Sequence, residues 1–142
     1  MRPIIEYYIA DRGSLQRSFF VNNSPARRER FRKFYQDALD RIQKLNFDAM
    51  SEAGKVDYIL FRNHLEHELR QLDIEEKQQA EIAPLIPFAK TIVDLEEARR
   101  RMDPIDSAKA ATTLNGLKKQ VEDTRRQVDA GLRGGDNPEA IK

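Results

Sequence analysis

The only histidines in this 142-residue chain, His64 and His67, stand in the stretch Asn63-His64-Leu65-Glu66-His67-Glu68-Leu69-Arg70-Gln71. A spacing of three puts both imidazoles on one side of a helix, from which they could share a metal ion with Glu68 or with a residue of a neighbouring helix. His67-Glu68-Leu69-Arg70-Gln71 also comes within one residue of H-E-x-x-H, in which two histidines one turn apart bind zinc and the glutamate acts as general base. Gln71 stands where the second histidine must be, and an amide is a far weaker zinc ligand. His64, His67 and Glu68 are thus the only candidate metal ligands. Their plainer reading is a pair of helix-surface histidines that are solvated or bonded to a carboxylate.

Other chemistry finds less support. The chain has no cysteine, so thiolate metal sites, disulfides and thiol nucleophiles are excluded. No serine has a recognisable base, because both histidines lie within one helical stretch. Glu75-Glu76 and Glu96-Glu97 are adjacent in sequence, hence about 100° apart around a helix and poorly placed to share a proton. Gly134-Gly135 lacks the strand, loop and lysine of a phosphate-binding loop. The expectation is no catalytic residue, no cofactor-binding residue and no cofactor.

Charge points the same way. With 25 basic and 24 acidic residues the net charge is +1, which gives no overall field toward nucleic acid or an anionic membrane. The basic run Arg27, Arg28, Arg30, Arg32 and Lys33 is interrupted by Glu29 and followed by Asp37 and Asp40. Arg99-Arg100-Arg101 is flanked by Glu96, Glu97 and Asp103, and Arg125-Arg126 is a shorter run. These read as solvated helix faces with pairs such as Glu29–Lys33 and Asp37–Arg41, and neither nucleic acid nor membrane is expected as a partner. No stretch reaches the roughly 20 apolar residues needed to span a bilayer. Glu6 and Asp11 interrupt any apolar run at the start. The chain reads as cytoplasmic, or as exported after removal of a leader.

The elements that would position these residues are helical. A 35% charged fraction with only six glycines and six prolines favours long helices with Glu, Lys, Arg and Gln outside. Ser24-Pro25 is a cap followed by a first-turn proline, after which Phe31, Phe34, Tyr35, Ala38, Leu39, Ile42 and Leu45 recur at three- and four-residue steps. Ser51 can cap a second helix. It is apolar on two adjacent faces: Val56, Ile59 and Leu60 on one, Tyr58, Phe61, Leu65, Leu69 and Leu72 on the other. Asp73 and Glu76 have capping-box spacing, so the chain either restarts there or runs on. Pro84 and Pro87 punctuate. Asp103-Pro104 repeats the cap-then-proline signal before Leu114, Leu117, Val121 and Val128. Gly116 lies inside that last helix and suggests a tight helix crossing or a local bend.

The expected fold is all-α, an antiparallel up-and-down helical bundle of about four main helices with a short amino-terminal arm. The helices fall at about residues 25–45, 52–82, 87–102 and 104–131. The arm or short helices occupy 1–23, the bundle 24–133 and a flexible tail 134–142. A chain this long hides roughly 68–70% of its unfolded surface in one domain, and Phe34, Leu39, Leu60, Leu65 and Leu117 are the expected core.

At Ala10-Asp11-Arg12-Gly13-Ser14-Leu15, Ser24-Pro25-Ala26-Arg27-Arg28 and Lys55-Val56-Asp57-Tyr58-Ile59-Leu60-Phe61-Arg62-Asn63, the sequence resembles the bacterial domain-of-unknown-function (DUF) 885 family. Ala83-Pro84-Leu85-Ile86-Pro87-Phe88-Ala89 is similar too. The resemblance runs over roughly residues 10 to 130 but only over the amino-terminal portion of that family. It implies a much longer helical parent, resembling zinc-dependent peptidases through an H-E-x-x-x-G-H-type motif in its carboxy-terminal half. No residue here matches that motif, so no catalytic or metal residue carries over. Two readings follow. One is a non-catalytic helical portion of such a protein, forming scaffold or substrate-channel wall, whose partner is the missing carboxy-terminal part of the parent or, failing that, a second copy in a dimer. The other is a self-contained helical protein-interaction module.

Overall fold

A computed structural model of the chain describes residues 1–133, and the expected tail at 134–142 lies outside them. The described residues form five α-helices and no strand: α1 (Arg2–Ser18), α2 (Pro25–Gln43), α3 (Glu52–Ile82), α4 (Ala89–Arg100) and α5 (Ser107–Arg133), with a 3-10 turn at Ala83–Leu85. The chain divides into two compact units, Met1–Gln78 and Gln79–Lys142.

In the first unit, the opening segment is one 17-residue helix. Its inward stripe is Ile4, Ile5, Tyr8, Leu15 and Phe19, all packed in or against the core. The period is hard to read from sequence because Tyr7, Ile9 and Phe20 add apolar residues on the exposed side. After α1, Val21 is buried and Asn23 takes φ 65°, a left-handed conformation asparagine tolerates well. Ser24 then caps α2, its Oγ accepting from the Arg27 amide at 3.0 Å. Pro25 fills the first turn, where no amide partner is lost.

Cross-helix contacts fix the directions. Phe19 meets Arg27 and Tyr8 meets Phe34, so α1 and α2 are antiparallel. Tyr35 meets Glu68 while Arg32 meets Asp73, so α2 and α3 are antiparallel as well. Tyr8 meets His64 and Arg12 meets Glu68, so α1 and α3 run parallel. The core enclosed between them is Tyr8, Phe31, Tyr35, Leu39, Ile42, Phe61 and Leu65.

Asp73 and Glu76 do not start a new helix. They pair with Arg32, and Glu76 also with Arg28 at 3.7 Å, while α3 runs on to Ile82. The basic run on α2 is thus partly engaged in packing: Arg27 also lies 4.5 Å over the Phe31 ring, and Lys33 turns to Asp37 (3.0 Å) rather than to Glu29.

Three expected core residues need correction. Leu39 and Leu65 are buried, but Leu60 is 63% exposed, and Phe34 and Leu117 are half-buried. On α3, a 3.6-residue period turns Leu60 away from the stripe that carries Phe61, Leu65 and Leu72. Of the two apolar faces, α1 and α2 cover only one.

In the second unit, α4 ends in a Schellman motif. Met102 takes φ 57°, its amide bonds to the Arg99 carbonyl, and the Asp103 amide reaches back to Ala98, each at 3.0 Å. Residues 103–106 then leave helical geometry, so α5 starts at Ser107 and not at Pro104. Its cap is Asp106, whose Oδ1 accepts from the Lys109 amide at 3.0 Å. A side chain at Gly116 would meet nothing within 4 Å. The glycine therefore does not mark a tight crossing.

Candidate functional site

The polar groups that the first unit gathers at its core lie along the seam between the parallel helices α1 and α3, with α2 closing the third side. Parallel helices keep register, so residues four apart on one meet residues four apart on the other. Tyr8 and Arg12 on α1 face His64 and Glu68 on α3. The Tyr8 hydroxyl and His64 Nε2 share a 2.9 Å hydrogen bond, whose direction follows the imidazole tautomer. Arg12 donates to Glu68 at 3.2 Å and to the Tyr35 hydroxyl at 3.4 Å, and Tyr35 donates to the same Glu68 oxygen at 2.7 Å.

Aromatic rings surround this network. Tyr8 stacks on Phe34 with centroids 5.1 Å apart and meets Phe61 edge-on at 4.9 Å; His64 stands edge-on to Tyr8 at 5.7 Å. Burial raises the Tyr8 pKa, with the neighbouring Tyr35 adding to the rise. Tyr35 is pushed up to about 12 by burial, with the Arg12 bond working against the rise and Glu68 adding to it. Partial burial of Glu68 works toward a higher pKa, but the Tyr35 hydroxyl and the Arg12 charge outweigh it and hold the carboxyl below its usual value. Arg12 is correspondingly held more firmly protonated, chiefly by its bond with Tyr35.

The two histidines of the sequence motif part company here. His64 turns into the seam and bonds Tyr8, whereas His67 is exposed on the outer side of α3. Glu68 faces inward and is held by Arg12 and Tyr35. Gln71 is exposed. Among the described residues no group of three or more His, Asp or Glu side chains converges as metal ligands do. Tyr8, Arg12 and Tyr35 were not among the candidate site residues, although Arg12 lies in a stretch of family resemblance and Tyr35 in the apolar stripe of α2. Their one legible signal is the matched four-residue spacing of Tyr8–Arg12 and His64–Glu68, which acquires meaning only once α1 is known to run parallel to α3.

Beside the network lies a cleft of about 200 Å³ between α1 and α2, floored by Ile4, Tyr8, Phe34 and Phe61, with Asp11, Arg30, Asp37 and Arg41 at its rim. It falls short of the roughly 300 Å³ at which small-molecule pockets begin. No buried side-chain nitrogen or oxygen among the described residues lacks a hydrogen-bond partner. The bonds form two sets, Tyr8 with His64 and Arg12 with Tyr35 and Glu68, which together tie α1, α2 and α3 to one another.

No helix among the described residues is long and apolar enough to cross a membrane. Compared with models of known protein families, with curated proteins and with solved structures, the chain matches none.

Proposed function

We propose that the chain is a non-catalytic helical amino-terminal portion of a larger bacterial protein resembling zinc-dependent peptidases, contributing scaffold or substrate-channel wall. The observation that carries this reading is what the residues of the resembling stretches do. Arg12, in the first stretch, ties α1 to α2 and α3 through Tyr35 and Glu68. Ser24 and Pro25, in the second, start α2. Phe61, in the third, is core, and Tyr58 packs against Phe47 and the core edge. Residues that hold helices in register are what a scaffold portion must keep, and the titratable groups of the seam are engaged with one another rather than presented to a substrate.

The direct test is to assay the chain for peptide hydrolysis and for zinc retained after dialysis. Neither is expected, because catalytic zinc needs three protein ligands and an open position. Stoichiometric zinc that is lost in the double variant His64→Ala/His67→Ala would overturn the reading. The reading frame adds a second check: several hundred further codons past Lys142 fit a parent enzyme. A stop codon there fits the alternative, a self-contained interaction module. That alternative draws support from the outer face of α3, where Val56, Ile59 and Leu60 are exposed on the side opposite the core.

A further inference from the structure

The core face of α1 is interrupted. Ile4, Ile5 and Tyr8 come before the break and Leu15 and Phe19 after it, all packed in or against the core, and the inward position between them falls to Arg12. The two helices beside it carry polar groups at the same level. Tyr35 stands between Phe31 and Leu39 on α2, and Glu68 between Leu65 and Leu72 on α3. Arg12 and Tyr35 both donate to one atom, Glu68 Oε2. One residue from each helix thus forms a polar layer across an otherwise apolar core.

Such a layer is a weak source of stability. The Arg12 and Glu68 side chains keep 34% and 22% of their surface in water, and well-packed apolar residues in place of a covered ion pair are often as stable or more so. What apolar residues supply poorly is alignment. Large apolar side chains stand about one turn apart along much of α1, Ile4, Tyr8, Leu15 and Phe19 inside and Tyr7 and Ile9 outside. Sliding α1 one turn, about 5.4 Å, toward the start of α3 brings Tyr8 near the level of Phe61 and Phe19 near the level of Leu72, so apolar groups still meet apolar groups. The polar groups do not survive the slide. Arg12 comes level with His64, Glu68 is left opposite Gln16, and Tyr8 loses its imidazole. The opposite slide sets Arg12 against Leu72. Either way a half-covered carboxylate is left without its cation, which is strongly disfavoured.

We propose that the layer of Arg12, Tyr35 and Glu68, with the Tyr8–His64 bond one turn before it, is a register lock: it selects one axial alignment of α1 on α3 from those the apolar residues allow. A single buried polar residue sets the register of a coiled coil in the same way. The lock works within the first unit whatever longer protein the chain belongs to, so the zinc and hydrolysis assays neither support nor remove it.

Because the chain lacks cysteine, spin labels at Glu6→Cys on α1 and Gln71→Cys on α3, both exposed, report the alignment through the distance between them. With the lock intact the whole chain should give one distance. Added to the labelled chain, Tyr8→Phe/Arg12→Met/Tyr35→Phe/Glu68→Met should leave a cooperative melt at a temperature no lower than before, yet give a second distance displaced by up to about 5.4 Å. The reversed pair Arg12→Glu/Glu68→Arg, which keeps the charges matched across the same level, should keep the single distance. One unchanged distance in the four-residue variant would overturn the proposal, since apolar packing alone would then set the alignment. So would loss of folding or a clearly lower melting temperature in that variant, because the layer would then be a source of stability instead of a lock. Two distances in the reversed pair would overturn it as well.

Discussion

Two leucines five residues apart on α3 give the sharpest test of the first unit. Leu65 is 0% exposed and sits in a core with Tyr8, Phe31, Tyr35 and Phe61; Leu60 is 63% exposed. Truncating a buried leucine removes its transfer free energy and leaves a cavity, together about 2–5 kcal/mol. Rigid rings interlocked at 4.9–5.8 Å around Tyr8, Phe31 and Phe61 collapse poorly into a hole, which places Leu65→Ala in the upper half of that range. In a unit of this size each kcal/mol lowers the melting temperature by about 4–8 °C, so a loss of about 3.5 kcal/mol means at least about 14 °C. Leu60 keeps only about a third of its surface from water, and full burial of a leucine is worth about 1.5–3 kcal/mol, so Leu60→Ala should cost below about 1 kcal/mol. Alanine's better helix propensity offsets part of even that. Thermal and urea unfolding followed by circular dichroism at 222 nm would read both variants. Equal destabilisation by the two would refute the assignment of the inner and outer faces of α3.

Four further outcomes are expected. Because the folded pKa of Glu68 is depressed, its contribution is fully present above the ordinary glutamate value of about 4.3 and is lost as pH falls through the lower folded value; Glu68→Gln should flatten that acid limb of a stability-against-pH curve. Ser24→Ala should cost about 1–2 kcal/mol in urea unfolding, since the cap is buried and leaves the Arg27 amide without its acceptor. Gly116→Ala should stabilise α5 by up to about 1 kcal/mol in thermal unfolding, because the added methyl meets nothing. Met102→Gly should also stabilise, by roughly 1 kcal/mol, through relief of a left-handed conformation in an 89% exposed residue; an unchanged melting temperature would count against the Schellman end of α4.

Local sequence signals were enough to read α2 to α5 as helices and to place their ends to within a few residues, whereas α1 was expected only as an arm or short helices and α5 starts at Ser107 instead of Pro104. Caps and breakers act locally: Ser24-Pro25 starts α2, Ser51 holds the Gly54 amide at 3.2 Å before α3, Pro84 lies within the 3-10 turn after it and Pro87 follows that turn. Three- and four-residue apolar steps do the rest, so Phe31, Tyr35, Leu39 and Ile42 were legible as one buried stripe. Local signals failed where several apolar residues competed. Tyr7 and Ile9 masked the period of α1, and Asp73 with Glu76 offered a start signal that Arg28 and Arg32 from another helix claimed instead. Tertiary structure decided what no local rule encodes: which face of α3 is inside, and which polar groups meet. Leu60 and Leu65 are chemically identical, and only the placement of α1 and α2 separates them. His64 and His67 differ as little in sequence, yet a 60° turn between them puts one against Tyr8 and the other in water. The seam of Tyr8, Arg12, Tyr35, His64 and Glu68 joins residues up to 56 positions apart, and it exists because α1 and α3 run parallel, a property of the assembled unit and of no single helix within it.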